Sequence, residues 1–372
     1  MNIINTAIQF VKKPVKEQLD LDLVFREKSS VNFFPHVMKA GEIFEINYNR
    51  DMEALLWLYN MAFYNKNVSS LAITHYLLYY ACLDKELYDR AALHLQALEG
   101  ELTGVRSDEE ISDHLTNQLS FIMLHEIYHV LFRYRPNTKE QGLDFERQRQ
   151  TGLKNELAEM FKNITPEELI VHSKVQPRVK VQFTYFMPKK IKSEIISQIT
   201  KNMVSPEDYD TKVLGMDSGL LEELVCDRSA WQFIMAICRS IGISKEEMFD
   251  LHCSLFIALT ATFVDNAFLS YYFPEKHQRL QYDAKTIIIR QNSFKRLDID
   301  IPVEYTKEVS NRYKDVAEYV ERVYQETANS FIDYANDLGG IYKNGNDDRE
   351  IDNDKRNELE DKMHKIIYSV MG

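Results

Sequence analysis

The sequence predicts an α+β protein, predominantly helical, with one small antiparallel sheet near the N-terminus. Three observations carry this. Glycine (12) and proline (9) are sparse in 372 residues, which disfavours a turn-rich β architecture. Long stretches repeat apolar residues at helical spacing, whereas residues 31–49 and 178–187 hold the segments that alternate at a strand period. A hydrophobic fraction of 45%, with 12% aromatic residues, is enough to fill a sizeable core.

At roughly 150 residues per domain, the length suggests about two or three units. The net charge of −12 argues against nucleic acid as the main partner, because phosphate recognition needs a clustered basic surface. Cys82, Cys226, Cys238 and Cys253 show no CxxC spacing and point to a reducing compartment. The N-terminus lacks the apolar core and small-residue cleavage site of a signal peptide. The best membrane candidate is 253–273, where 12 uncharged residues precede Asp265, short of the ~20 that span a bilayer. A buried core helix is the better reading. The expectation is a soluble, cytoplasmic protein without stable membrane insertion.

Each element follows from local chemistry. In VNFFPHVMKAGEIFEINYN (31–49), two extended pieces flank a Lys-Ala-Gly turn; Phe44, Ile46 and Tyr48 alternate with Glu45, Asn47 and Asn49, the pattern of a half-buried strand. Helical periodicity covers about 51–64, 70–82 and 84–99, with Gly100 as a C-terminal cap. Ser107 and Glu110 have the capping-box spacing, and the helix they start can run to about Tyr134, since Pro136 disfavours helix at Arg135. Residues 137–216 are charged and less regularly apolar, an insertion in which RVKVQFTYFM (178–187) reads as a strand. Asp217-Ser218 offers an N-cap for GLLEELVCDRSAWQFIMAICRS, with Gly242 just past its end. A strongly apolar helix follows at about 246–268. After 304 comes one long amphipathic helix that Gly339-Gly340 break, then a segment dense in both charges and a short final helix. The organisation is a domain over 1–303, containing the insertion 137–216, and a helical extension over 304–372.

LHEIYHV, residues 124–130, bears on chemistry. On a helix, positions i and i+4 share a face, so the imidazoles of His125 and His129 can bind one Zn²⁺ at ~2.0–2.1 Å. Glu126 stands about 100° round the helix, where it reaches a water on the metal's open position as general base. Ile122, Met123, Leu124, Ile127, Tyr128, Val130 and Leu131 are uncharged, so the helix can be buried with only its metal face polar. Three polar residues that share a helix by chance would look the same, and a third ligand separates the two cases. In LLEELVCDRSA, Glu223 and Asp227 share a helical face. Glu223 can coordinate the metal while Asp227 accepts a hydrogen bond from a ligand imidazole. Glu222 competes, but its i+4 neighbour is Cys226, which offers no comparable carboxylate.

HEIYH followed far downstream by ELVCD resembles the HExxH…ExxxD pattern of the gluzincin zinc metallopeptidases, in the form of the HtpX and CAAX-prenyl-protease type. A soluble phage-exclusion peptidase of the Lit type falls within the same resemblance. The match covers these two segments, 94 positions apart (129 to 223). Cys226 takes the place of the usual alanine, and the paired transmembrane helices of the membrane-bound members are absent. The resemblance implies a zincin-like catalytic domain over 1–303: a helical core with a small antiparallel sheet whose edge strand binds extended substrate, for which 43–49 is the candidate. It also implies an oxyanion donor, for which His277, followed by Arg279, is the candidate; Tyr271, Tyr272 and His252 are others. His36, His75, His94, His114, His172 and His364 are read as mostly structural.

The expectation is thus a zinc-dependent endopeptidase acting on a protein or peptide substrate. His125, His129 and Glu223 would hold the metal, Glu126 would act as general base, and Asp227 would orient a ligand. Two alternatives stand beside it. One is an interaction or regulatory protein on a peptidase-like scaffold, with the helix 305–337 as docking arm; the other is a zinc hydrolase of a non-peptide amide.

Overall fold

The computed structural model describes residues 3–28, 33–40, 43–64, 68–105, 109–165, 188–215, 219–272, 284–297 and 352–371, with isolated positions 168, 170, 315, 318, 322 and 326. The expected strand 178–187, the long helix 305–337, the caps at Ser107 and Asp217-Ser218, and His172 lie outside the described residues. The architecture is the predominantly helical α+β arrangement that the composition predicts.

A helix that the strand and helix signals above do not mark opens the chain. α1 (Ile3–Leu19) buries Ile4, Ala7, Ile8, Val11 and Val15, an apolar stripe at i, i+3/i+4 spacing. Its Ile4 N–H donates to the Glu53 carboxylate at 3.2 Å, which satisfies one of the unpaired donors of the first turn. Three strands follow, β1 (Leu23–Glu27), β2 (His36–Ala40) and β3 (Ile43–Tyr48), in the spatial order β1-β3-β2. β2 and β3 pair antiparallel as a hairpin, and β1 adds in parallel, so the sheet is mixed.

This order corrects two expectations about 43–49. β3 is the central strand, so its backbone donors and acceptors are taken on both sides and it is not the edge where an added peptide could pair. Nor is it half-buried: Glu45, Asn47 and Asn49 are buried together with Phe44, Ile46 and Tyr48. Glu45 tolerates this because Arg26 of β1 meets its carboxylate at 3.0 Å.

Helices α2 (Asp51–Tyr64), α3 (Ser70–Asp84), α4 (Tyr88–Glu101) and α5 (Glu109–Tyr134) follow. Gly100 lies inside α4 rather than capping it; the chain leaves the helix at Leu102, and Gly104 (φ +78°) takes the left-handed conformation. α5 ends where expected. Arg135 leaves the helical conformation (φ −127°, ψ 72°), and Pro136 occupies the first turn of the next helix, where its missing N–H costs nothing.

The insertion proves helical where it is described: α6 (Pro136–Asn163), α7 (Lys189–Asn202) and α8 (Pro206–Lys212). α6 escapes a hydrophobic reading because its buried positions, Leu143, Glu146 and Gln150, keep helical spacing but are mostly polar. Then come α9 (Gly219–Ser240), closed by Gly242 (φ +82°), α10 (Lys245–Tyr272), α11 (Ala284–Lys295) and α12 (Asn353–Met371). Among the described residues, one helix is long and apolar enough to cross a membrane. This is the stretch Lys245–Asn266, whose apolar window has a mean hydropathy of 1.3 and is 83% buried in the protein.

The chain divides into two units. One comprises Met1–Leu131, Arg228–Gln281 and Asp298–Gly372; the other comprises Phe132–Asp227 and Tyr282–Leu297. The division falls within α5, after Leu131, and within α9, after Asp227.

In the first unit, Gln118 of α5 and Asn60 of α2 exchange side-chain amide hydrogen bonds at 2.7 and 3.0 Å. Gln118 also donates to the carbonyl and hydroxyl of Ser254 on α10, both at 3.0 Å. All three residues are fully buried, so the network sets the rotation of α5 within an otherwise apolar core. On the seam between α3 and α4, His75 and His94 face one another with Nδ1 atoms 3.2 Å apart. Burial first, then the charges of His75 and Arg90, push the His94 imidazole down to about 4. Burial also lowers His75, against the pull of Glu101.

Gln118→Ala is expected to lower the unfolding free energy by roughly 2–4 kcal/mol in urea titrations, from the cavity and the stranded partners together. The His94 shift makes a second prediction, about pH. An unfolded histidine takes up its proton near pH 6.5, whereas folded His94 takes it up at about 4. Between those values the unfolded chain binds more protons, so stability falls as pH falls. Unfolding measured across that window should lose on the order of 3 kcal/mol, and His94→Gln should flatten the slope.

Candidate metal centre

The HExxH segment lies in the last three turns of α5, and its surroundings follow from the residue types. Ile122, Met123, Leu124, Ile127, Val130 and Leu131 are all buried. Glu126, Tyr128 and His129 are only half-buried, and His125 is 8% exposed. The helix therefore shows a polar stripe in a buried wall. His125 and His129 meet through their Nε2 atoms at 3.1 Å, with rings edge to face.

Glu223 occupies the first turns of α9, half-buried. Glu222, the rival ligand, points its carboxylate to Lys139 of α6 at 2.5 Å. α6 can come this close to α9 because residue 142 is glycine: a Cβ there would meet the Val225 side chain at 2.9 Å.

Asp227 is buried, as a residue with a supporting role should be, and its partner is one the motif does not contain. Arg290 of α11 grips both oxygens, Nε on Oδ2 at 2.6 Å and Nη2 on Oδ1 at 2.8 Å. Its remaining nitrogen, Nη1, reaches Oε2 of Glu223 at 3.0 Å. The ExxxD spacing carries no signal for this arginine contact. A signal for Arg290 exists in KTIIIRQNSF: counting from Ile287 to Phe294 at helical spacing places the arginine on the apolar stripe, where a charge requires a partner.

The remaining candidates separate. His277 and Arg279 lie outside the described residues, as do the side chains of Tyr271 and Tyr272. His252 is fully buried between α9 and α10, where its Nδ1 accepts a hydrogen bond from Trp231 Nε1 at 2.9 Å. That bond puts the imidazole proton on Nε2, and burial pushes the ring's pKa down to about 3. His364 on α12 meets Asp51 at 3.4 Å, a contact that raises its pKa. Neither this contact nor the His75–His94 pair has a sequence signal, because each joins residues far apart on separate helices.

Chemically, α5 in one unit holds two imidazoles at metal-sharing distance with a half-buried glutamate beside the first, and in the other unit a buried cation meets two carboxylates of α9. Comparison with known protein families, with curated proteins and with solved structures finds no match.

Asp227→Ala would leave the Arg290 guanidinium buried beside a single carboxylate. It is expected to lower stability by roughly 3–5 kcal/mol in chemical denaturation. Lys16→Ala, which removes exposed ion pairs with Asp20 and Asp22, should leave the midpoint unchanged in the same assay.

Proposed function

We propose that this chain is a zinc-dependent hydrolase of the gluzincin metallopeptidase kind, cleaving peptide bonds in a protein or peptide substrate. One observation carries the reading: on α5 the Nε2 atoms of His125 and His129 stand 3.1 Å apart, directly beside Glu126. Two imidazole nitrogens and one carboxylate oxygen form the donor set of a catalytic zinc site, which keeps a position for water. The 3.1 Å between the two Nε2 atoms supports a shared ion. Two nitrogens at ~2.0–2.1 Å from a tetrahedral Zn²⁺ stand roughly 3.3–3.4 Å apart. When bound, Zn²⁺ supplies Lewis acidity, which polarises a carbonyl and brings a water's pKa to about 7.

The protein's own groups supply the rest. Glu126 takes the proton from the attacking water and returns it to the leaving amine, a transfer that helix geometry allows because its side chain stands a quarter-turn from His125. His125 and His129 need no rearrangement to present their Nε2 atoms together, since the burial around α5 sets their backbone. The four cysteines are buried and unbridged, which fits the reducing, cytoplasmic setting we infer.

Elemental analysis of the purified wild type is expected to find one zinc per chain. His125→Ala and Glu223→Ala should lose it, and Glu222→Gln should keep it. In a peptide-cleavage assay Glu126→Gln should retain zinc while the rate falls about a hundredfold or more. Undiminished cleavage by that variant would exclude the mechanism.

A further inference from the structure

We propose that α7 is a docking helix for an anionic membrane surface, lying in the plane of the headgroups with its isoleucines toward the acyl chains. This stands apart from the zinc reading, and α7 belongs wholly to the unit Phe132–Asp227 with Tyr282–Leu297.

The sequence of α7, KKIKSEIISQITKN, sorts its residues by face. At about 100° per residue, Ile191, Ile195 and Ile199 follow one another at i, i+4 and i+8, and Ile196 widens the stripe on one side. Lys190, Lys201, Ser197 and Glu194 take the opposite side. An apolar stripe of this kind ordinarily faces a core. Here it does not. Ile191 is 44% exposed, and Ile195, Ile196 and Ile199 are only half-buried. Among the described helices, α7 is the one none of whose described side chains is buried.

A helix of 14 residues with four β-branched isoleucines is marginal on propensity alone, because packing of an apolar face supplies most helical stability. Single exposed apolar residues are ordinary on a surface, but four on one stripe mark an interaction face. The stripe of α7 therefore points to a partner outside this chain.

Charge identifies the partner's chemistry. α7 carries four lysines and one acid, in a chain whose net charge is −12. The bias runs through the neighbouring sequence, since residues 173–202 hold seven Lys or Arg against Glu194 alone. Lys189, Lys190 and Lys201 are exposed. A basic amphipathic helix gains twice at an anionic bilayer: its apolar side chains leave water, and each lysine near the surface adds roughly fivefold to binding. Lys192 separates a bilayer from a protein partner. It stands within the stripe, between Ile199 and Ile196 around the helix, and is half-buried. At a bilayer such a lysine lays its methylenes along the acyl chains and lifts its ammonium to the phosphates, whereas a protein interface would desolvate the charge. A nucleic acid offers the phosphates but no apolar phase for four isoleucines.

The test is sedimentation of the full chain with vesicles, one set of phosphatidylcholine alone and one set with about a third phosphatidylserine. Wild type is expected to sediment with the anionic set and not with the neutral set, and to release as salt screens the lysines. Replacing Lys189, Lys190 and Lys201 together by alanine should weaken binding about 100-fold. Ile191→Glu keeps every lysine and should weaken it at least about fivefold. All four positions are exposed, so both variants should keep the wild-type thermal midpoint. Folded wild type that ignores anionic vesicles overturns the proposal, and so does equal binding to both sets. Wild-type affinity in the triple lysine variant or in folded Ile191→Glu overturns it as well. Should Ile191→Glu not fold, the lysine variant decides alone. Wild type that binds a single-stranded oligonucleotide and no vesicle overturns it in favour of nucleic acid. A dimer in sedimentation equilibrium that Ile191→Glu breaks, again without vesicle binding, overturns it in favour of a second copy.

Discussion

A guanidinium buried on the apolar stripe of a helix is the constraint on which the unit Phe132–Asp227 with Tyr282–Leu297 depends. Removing such a charge from water costs several kcal/mol, and only well-placed carboxylates offset it. Arg290 meets that requirement with Asp227 and Glu223, which ties α11 to α9 in one register. One turn further along α11, Ser293 accepts hydrogen bonds from Arg149 and Gln150 of α6. Lys139 of α6 then closes the circuit on Glu222 of α9. Three helices are thus aligned by directional polar bonds, whose geometry tolerates little sliding, where apolar contacts would tolerate more. The Glu223 carboxylate owes its position to this circuit.

The other unit solves the same problem differently. Its helices α2, α3 and α10 are buried on nearly all sides, and hydrophobic burial is non-directional, so it cannot by itself fix the rotation of a helix. The reciprocal amide pair of Asn60 and Gln118, locked to Ser254, supplies the missing direction. His125 lies two turns beyond Gln118 on α5, close to the same helical face. The rotation that satisfies the amide pair is therefore also the rotation that presents the imidazoles.

Much of this was legible in the sequence, for local reasons. α2, α3, α5, α9 and α10 run close to the expected ranges because apolar periodicity and terminal signals such as Pro136 and Gly242 act within a turn of themselves. Where burial depends on distant neighbours, the reading fails. Glu45, Asn47 and Asn49 look like the solvent face of a strand, yet a third strand makes β3 central and buries them. Glu146 and Gln150 look like the surface of a charged insertion, yet they line the buried side of α6. In both cases the period is visible, but the identity of the buried residues is inverted by partners that sequence distance hides.

The candidate site divides the same way. His125, Glu126, His129 and Glu223 stand out by spacing alone, because i, i+4 geometry on one helix is a property of the local backbone. What separates Glu223 from its neighbour Glu222 is which carboxylate Lys139 and Arg290 each claim. The sequence by itself determined the chemical types and the faces on which they stand. Only the tertiary structure decided their partners, since an ion pair between helices forms where packing brings its charges together, and no local rule encodes that distance.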